Sequence, residues 1–94
     1  MRTIWLVEGG EPFEQTYPIR AYERQEDAEH LMVRLQLHSS RKPQLSPGTP
    51  FTGEAYEAYC QQLAKWAARC PVKGSTFSEF SVTEVVLYSP RIPV

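Results

Sequence analysis

The histidines and cysteines are the residues whose side chains best suit metal binding or nucleophilic catalysis. His30 and His38 lie eight residues apart and form no recognisable ligand set with their neighbours. Cys60 and Cys70 fall in one predicted helix, where ten residues correspond to about 15 Å, beyond the reach of a disulfide. The sequence therefore predicts two buried, unreactive thiols and neither a metal site nor a bound cofactor.

A search of the sequence for catalytic motifs also gives no indication of an enzyme. The chain contains no GxSxG, HExxH or Walker sequence, and no cysteine has a histidine close to it in sequence. The pair Gly9-Gly10 is compatible with a phosphate loop, but Glu8 and Glu11 flank it and no helix begins directly after it. The sequence predicts a protein that is not an enzyme. Groups that only the fold would bring together are left open.

Charge is distributed unevenly along the chain. The formal net charge of -1 offers no overall attraction to nucleic acid or to an anionic membrane. Acidic residues dominate the stretch 8–29, whereas Arg34, Arg41 and Lys42 are the only formal charges in the stretch 30–51. The basic pair could contact a phosphate or an acidic partner. For this charge pattern alone we favour an unevenly solvated surface without a binding role.

Five predicted elements position these residues. Apolar residues alternate in the strands and recur with helical spacing in the helices. Pro18 cannot donate a ladder hydrogen bond, which places the second strand at an edge of the sheet. The paired glycines predict a turn with positive φ angles after the first strand. The elements are strands over 3–7 and 13–22, helices over 24–36 and 54–69, and a strand over 77–89.

The first helix has two apolar faces. One face is formed by residues at helical spacing and is expected to cover the sheet: Ala28, Leu31, Met32 and Leu35. Val33 and Leu37 lie four residues apart on the opposite side. They require a second packing partner, either the second helix, which we favour, or another protein.

The second helix carries the longest apolar stripe in the sequence. The stripe predicts a face buried in the core, and its members are Tyr56, Tyr59, Cys60, Leu63, Trp66, Ala67 and Cys70. Thr52 is the expected N-terminal cap. The Pro-rich stretch 38–53 between the helices is expected to be a long loop.

The elements define a fold class. The last strand is apolar on both sides around 85–87, which favours a central position beside the first strand. We predict one α+β domain over 1–94 with the order β-β-α-α-β, a small three-stranded antiparallel or mixed sheet, and two helices packed on one face. The strand-like run begins directly after Met1-Arg2. With no signal peptide or membrane span before it, the cytoplasm is the expected location.

Three stretches resemble parts of small phage and prophage proteins: IWLVEGGEPFE, IRAYERQEDAEHLMVRL and FSVTEVVLY. Those proteins share the plan strand, glycine turn, strand, EDAE-type helix and final VxEVxL strand. The resemblance covers residues 4–35 and 80–88, although the Ser or Thr that usually precedes the EDAE segment is absent here. The Pro-rich loop and the second helix resemble an enlarged insertion. The resemblance implies an accessory protein of a mobile element and carries over no functional residues.

Together these observations predict a non-enzymatic phage-type accessory protein that binds a bacterial host protein and inhibits it, for example a defence-system component. One alternative is an oligomer that binds or sequesters a nucleotide through Arg41, Lys42 and aromatic side chains. Another is a structural or assembly accessory protein. A homodimer is compatible with the main prediction, whereas nucleic acid and membrane are not predicted partners. The predicted partner-binding residues are Glu8, Glu11, Glu14, Val33, Leu37, Arg41 and Lys42.

Overall fold

The computed structural model describes residues 1–88, which contain three strands and two helices. The elements are β1 (Arg2–Gly10), β2 (Tyr17–Tyr22), α1 (Gln25–Ser40), α2 (Glu54–Ala68) and β3 (Glu79–Leu87). The predicted order β-β-α-α-β and the α+β class are confirmed. The last predicted residue of the final strand, Ser89, lies outside the described residues. No helix in residues 1–88 combines the length and apolar character needed to cross a membrane.

β1 is the central strand of an entirely antiparallel sheet with the order β2-β1-β3. The prediction that the last strand is central is wrong, although β3 does lie beside β1. β1 is apolar on both faces and pairs along both of its edges. β3 pairs with β1 alone among the described residues, and its apolar end is partly exposed at Val86 (37%) and Leu87 (44%).

β2 lies at the other edge of the sheet, as Pro18 predicts. Its register against β1 shifts between Val7 and Glu8, because Arg20 pairs with Val7 and Pro18 pairs with Glu8. Proline has no backbone N–H group to donate to a neighbouring strand, and it is tolerated at such an irregular edge. β1 ends at Gly10 and β2 begins at Tyr17, so the connection covers residues 11–16 instead of the predicted 8–12.

The paired glycines lie inside β1 and do not form the predicted turn. Neither Gly9 nor Gly10 has a positive φ angle, and both are buried. Close approach explains them, since a Cβ atom added to Gly9 would lie 2.6 Å from Cδ2 of Phe77. The positive φ angle of the hairpin, 63°, belongs instead to Phe13.

α1 packs on one face of the sheet and forms the core with β1. The fully or almost fully buried apolar residues are Val7, Ala28, Leu31 and Leu35. The predicted sheet-facing side of α1 is therefore confirmed, with Met32 partly buried at its border. The helix continues to Ser40, which shortens the predicted loop 38–53 to residues 41–53.

α2 does not pack on the sheet, which corrects the prediction of two helices on one face. No Cα atom of α2 lies within 8 Å of a Cα atom in another helix or strand, and none of its residues is buried. The described molecule is correspondingly elongated, with extents of 69 × 23 × 19 Å. α2 therefore extends away from the sheet as an arm. Of its predicted apolar stripe only Cys70, which follows the helix, packs against the core.

Two local predictions for α2 are also corrected. Gly53 is the N-terminal cap with a φ angle of 92°, and no side chain, Thr52 included, caps the helix. Cys60 is exposed rather than buried. Cys70 follows the helix and is partly buried, with its Sγ 3.5 Å from the carbonyl oxygen of Ser75. The exposure of Cys60 follows from the position of α2 outside the core.

Candidate functional site

A groove of about 610 Å³ lies between the C-terminal ends of α1 and α2. All of its charged lining residues are cations: Arg34, Arg41, Lys65 and Arg69. Its apolar lining residues are Leu37, Pro43, Trp66 and Pro71. We call this feature the basic groove. It combines an apolar surface with positive charge on both of its helical walls.

Helical spacing places the cations in two rows. Arg34 and Arg41 lie seven residues apart at the end of α1, which corresponds to about two turns along the same face. Lys65 and Arg69 lie four residues apart at the end of α2, and such positions are neighbours on a helix surface. Positive side chains also suit helix C-termini because they face the negative end of the macrodipole.

His38 and Trp66 join the two walls of the groove. Nε1–H of Trp66 donates to the carbonyl oxygen of His38 at 2.7 Å, and Nε2–H of His38 donates to the carbonyl oxygen of Trp66 at 2.6 Å. The two rings stack with their centroids 4.3 Å apart and an angle of 9° between their planes. These reciprocal contacts attach the arm to α1. Lys42 adds a cation–π contact, with its Nζ 5.8 Å from the Trp66 ring centroid.

Replacing Trp66 by Phe should loosen the arm while leaving the core folded. The substitution removes the indole N–H group and with it the hydrogen bond to the His38 carbonyl oxygen. We expect this loss to destabilise the attachment of α2 by about 1 kcal/mol. Amide hydrogen exchange should therefore become faster in α2 and remain unchanged in the buried turns of α1. Tyr59→Phe, which removes a polar group from the same helix, is the control. Equal exchange in the wild type and Trp66→Phe would show that this junction does not hold the arm.

The structure brings together part of the predicted partner-binding set. Leu37 and Arg41 line the basic groove, and Lys42 lies beside it over Trp66. Val33 and Leu37 are 47% and 52% exposed. The favoured prediction that they pack against the second helix within the chain is therefore wrong, because both are about half exposed although Leu37 lines the groove that α2 borders.

Arg34, Lys65, Arg69 and Trp66 belong to the groove but were not among the predicted site residues. The sequence shows cations near the ends of both helices. It contains no signal that the two helix ends converge, because that depends on the course of the loop 41–53. The sequence predicts a core position for Trp66, because its place in the apolar stripe is indistinguishable from that of a core residue.

The predicted acidic residues lie at a separate place, around the β1–β2 hairpin. Oγ1 of Thr16 donates to the Glu8 carboxylate at 2.8 Å, and Oγ of Ser78 donates to the Glu11 carboxylate. Glu11 and Glu14 line a second cavity of about 410 Å³. The structure thus divides the predicted set into an acidic hairpin and residues in or beside the basic groove.

Two further features of the described residues bear on possible chemistry: metal-binding clusters and shifted pKa values. Residues 1–88 contain no cluster of three His, Cys, Asp or Glu residues that could hold a metal ion. On the arm, a side-chain hydrogen bond with Cys60 raises the pKa of Tyr56. A phenol with a raised pKa stays neutral near pH 7.

No protein-family model, curated protein or solved structure matches this chain.

Proposed function

We propose that this protein is a non-enzymatic accessory protein of a mobile genetic element that binds a host protein in the bacterial cytoplasm. The concrete form of the proposal is inhibition of a component of a host defence system. The observation that carries it is the basic groove, with four cations around an apolar surface. We propose that an acidic surface of the host protein binds there. The phage context rests on the sequence resemblance alone.

The composition of the groove supports binding to a protein. Arginine and tryptophan are enriched among residues that dominate binding energy, especially where an apolar centre is surrounded by polar groups. Arg34, Arg41 and Arg69 supply planar donors that fit carboxylates, and Leu37 and Trp66 supply the apolar centre. Leu37 is 52% exposed, so its burial in a complex would be favourable.

Two observations favour a protein over nucleic acid. The formal net charge is -1, so the chain lacks the general positive field that drives binding to phosphate backbones. The Trp66 ring is already stacked on His38 at 4.3 Å. At least one face of this aromatic platform is therefore closed to a nucleic-acid base.

The volume of the groove favours one second candidate function, the binding of a nucleotide. About 610 Å³ falls within the usual range for small-ligand sites, and its arginines could bind phosphate groups. This candidate predicts a rise in melting temperature when a nucleoside triphosphate is added to the purified protein. It would replace the main proposal if the groove cations were required for that rise and no host protein bound.

The main proposal is tested with the double variant Arg34→Glu/Arg41→Glu. Wild-type protein should retain one stoichiometric host protein from bacterial lysate, and the variant should lose it because it places negative charge against an acidic partner. Arg20→Glu/Lys73→Glu makes the same change in net charge outside the groove and should retain the partner. Retention should also weaken as salt is raised.

Reconstitution from two purified proteins completes the test. The identified host protein should bind wild type and the Arg20→Glu/Lys73→Glu control but not the groove variant. Circular dichroism should show that all three are folded. Equal retention by both double variants would refute the groove as the binding site. Loss of the complex after nuclease treatment would refute direct protein binding.

A further inference from the structure

A second copy of this chain is the occupant that best matches the chemistry of the basic groove. We propose that the groove of one copy receives the β1–β2 hairpin of another. The inserted part is the segment Glu11–Glu14, which we call the acidic tip. The contact would form in the purified protein without any host partner.

The acidic tip presents an aromatic side chain directly to solvent. Phe13 is fully exposed (108%) and has a φ angle of 63°, a conformation uncommon for residues with a side chain. Glu11 and Glu14 lie on either side of it in sequence. An aromatic anchor between two carboxylates is suited to a pocket that is apolar inside and positively charged around it.

Local contacts hold the tip in place. The N–H group of Glu14 donates to the carbonyl oxygen of Glu11 at 3.1 Å, and Oγ of Ser78 donates to the Glu11 carboxylate. At the base of the hairpin, Tyr17 stacks on Phe77 with ring centroids 5.9 Å apart. A segment that is ordered before binding loses less conformational entropy when it binds.

The basic groove has the complementary properties. Leu37 and Trp66 provide apolar surface for the Phe13 ring, and the cations of both helical walls face the carboxylates of the tip. Every copy carries both a tip and a groove. Two copies can therefore exchange tips reciprocally, or successive copies can associate in one direction.

Self-association would also regulate the proposed function, and this consequence rests on that proposal. The acidic tip of a second copy and the acidic surface of a host protein would use the same cations. The two contacts would therefore exclude each other. Raising the protein concentration should reduce the fraction of grooves that are open to the host protein.

A charge-swap experiment tests the self-association directly. Wild-type protein should associate at high concentration in sedimentation and native mass measurements. Glu11→Lys/Glu14→Lys has a positive tip and a positive groove. Arg34→Glu/Arg41→Glu keeps the negative tip, and its two new glutamates offset the charges of Lys65 and Arg69 in the groove. Each variant alone should be monomeric. Mixing them should restore association, because the unchanged acidic tip of the second variant then meets the unchanged basic groove of the first.

Two controls separate this contact from general charge attraction. A mixture of Glu29→Lys/Glu84→Lys with Arg20→Glu/Lys73→Glu carries the same changes in net charge at other surfaces and should not associate more strongly than wild type. Phe13→Ala should weaken association at least tenfold, whereas Phe51→Ala removes an exposed phenylalanine of the loop and should leave it unchanged.

Three results would overturn the inference. They are a wild-type protein that stays monomeric up to about 1 mM, a swapped mixture that does not associate, and equal effects of Phe13→Ala and Phe51→Ala. Because none of these measurements involves a host protein, they leave the proposed function to its own test. Host binding through the groove by a strictly monomeric protein would support the proposed function and exclude self-association.

Discussion

Replacing Leu35 by Ala is expected to lower the free energy of unfolding by about 2–5 kcal/mol. Leu35 is completely buried, and only three other apolar residues in residues 1–88 reach comparable burial: Val7, Ala28 and Leu31. The substitution removes apolar contacts and leaves a cavity that a core of this size cannot easily refill. Urea denaturation followed by circular dichroism measures the change.

Leu37→Ala is the matched control because it removes the same atoms two residues further along α1. Leu37 is 52% exposed, so its truncation should change the unfolding free energy by less than about 0.5 kcal/mol. Similar losses for the two variants would show that α1 does not present the Leu35 side to the sheet. Leu37→Ala should instead weaken host-protein binding, since Leu37 lines the groove.

Replacing Gly9 by Ala is the second change expected to have a large effect, with a loss of about 1–3 kcal/mol. The new methyl group would lie 2.6 Å from Cδ2 of Phe77 and 3.0 Å from Cδ1 of Ile19. Phe77 cannot move aside freely, because its ring stacks on Tyr17 and packs edge-to-face against Phe80. The ring centroids of Phe77 and Phe80 lie 6.4 Å apart. Thermal unfolding should show a clearly lowered midpoint.

A double-mutant cycle with Phe77→Leu tests the cause of that loss. The smaller side chain should relieve the overlap, so Gly9→Ala should cost less in the Phe77→Leu background than in the wild type. A cost that is the same in both backgrounds would contradict close packing as the reason for glycine here. It would indicate a backbone requirement instead.

The elements near the sheet were largely predictable because their residues report their surroundings locally. The spacing of Ala28, Leu31 and Leu35 identified the buried side of α1, and Pro18 identified β2 as an edge strand. Periodicity shows which sides of an element are apolar. It does not show what covers them, so the spacing of Val33 and Leu37 alone cannot distinguish a contact within the chain from an exposed surface.

The same limitation explains the errors on α2 and β3. The stripe that contains Leu63 and Trp66 has the pattern of a core helix, yet α2 leaves the sheet and touches α1 mainly through the His38–Trp66 junction. The apolar end of β3 favoured a central strand, yet β1 is the strand with partners on both sides. Both outcomes depend on long-range pairing, which local apolar patterns do not encode.

The candidate site was predictable only in part. Arg41 and Lys42 stood out as an isolated basic pair, and Glu11 and Glu14 as part of an acidic stretch. The sequence does not reveal that Arg41 belongs to a groove, because the groove is assembled from residues far apart in the sequence. Nor does it reveal that Glu11 and Glu14 flank the tip of a hairpin. The loop 41–53 brings Arg69 to the same groove as Arg34.

The sequence by itself determined the α+β class, the order of the elements, the buried side of α1 and the edge position of β2. These properties depend on local spacing and on backbone groups that a residue has or lacks. Only the tertiary structure decided that α2 is an arm, that β1 is central and that the cations of two helix ends form one groove. Those properties arise from contacts between distant segments, whose energies depend on how the whole chain packs.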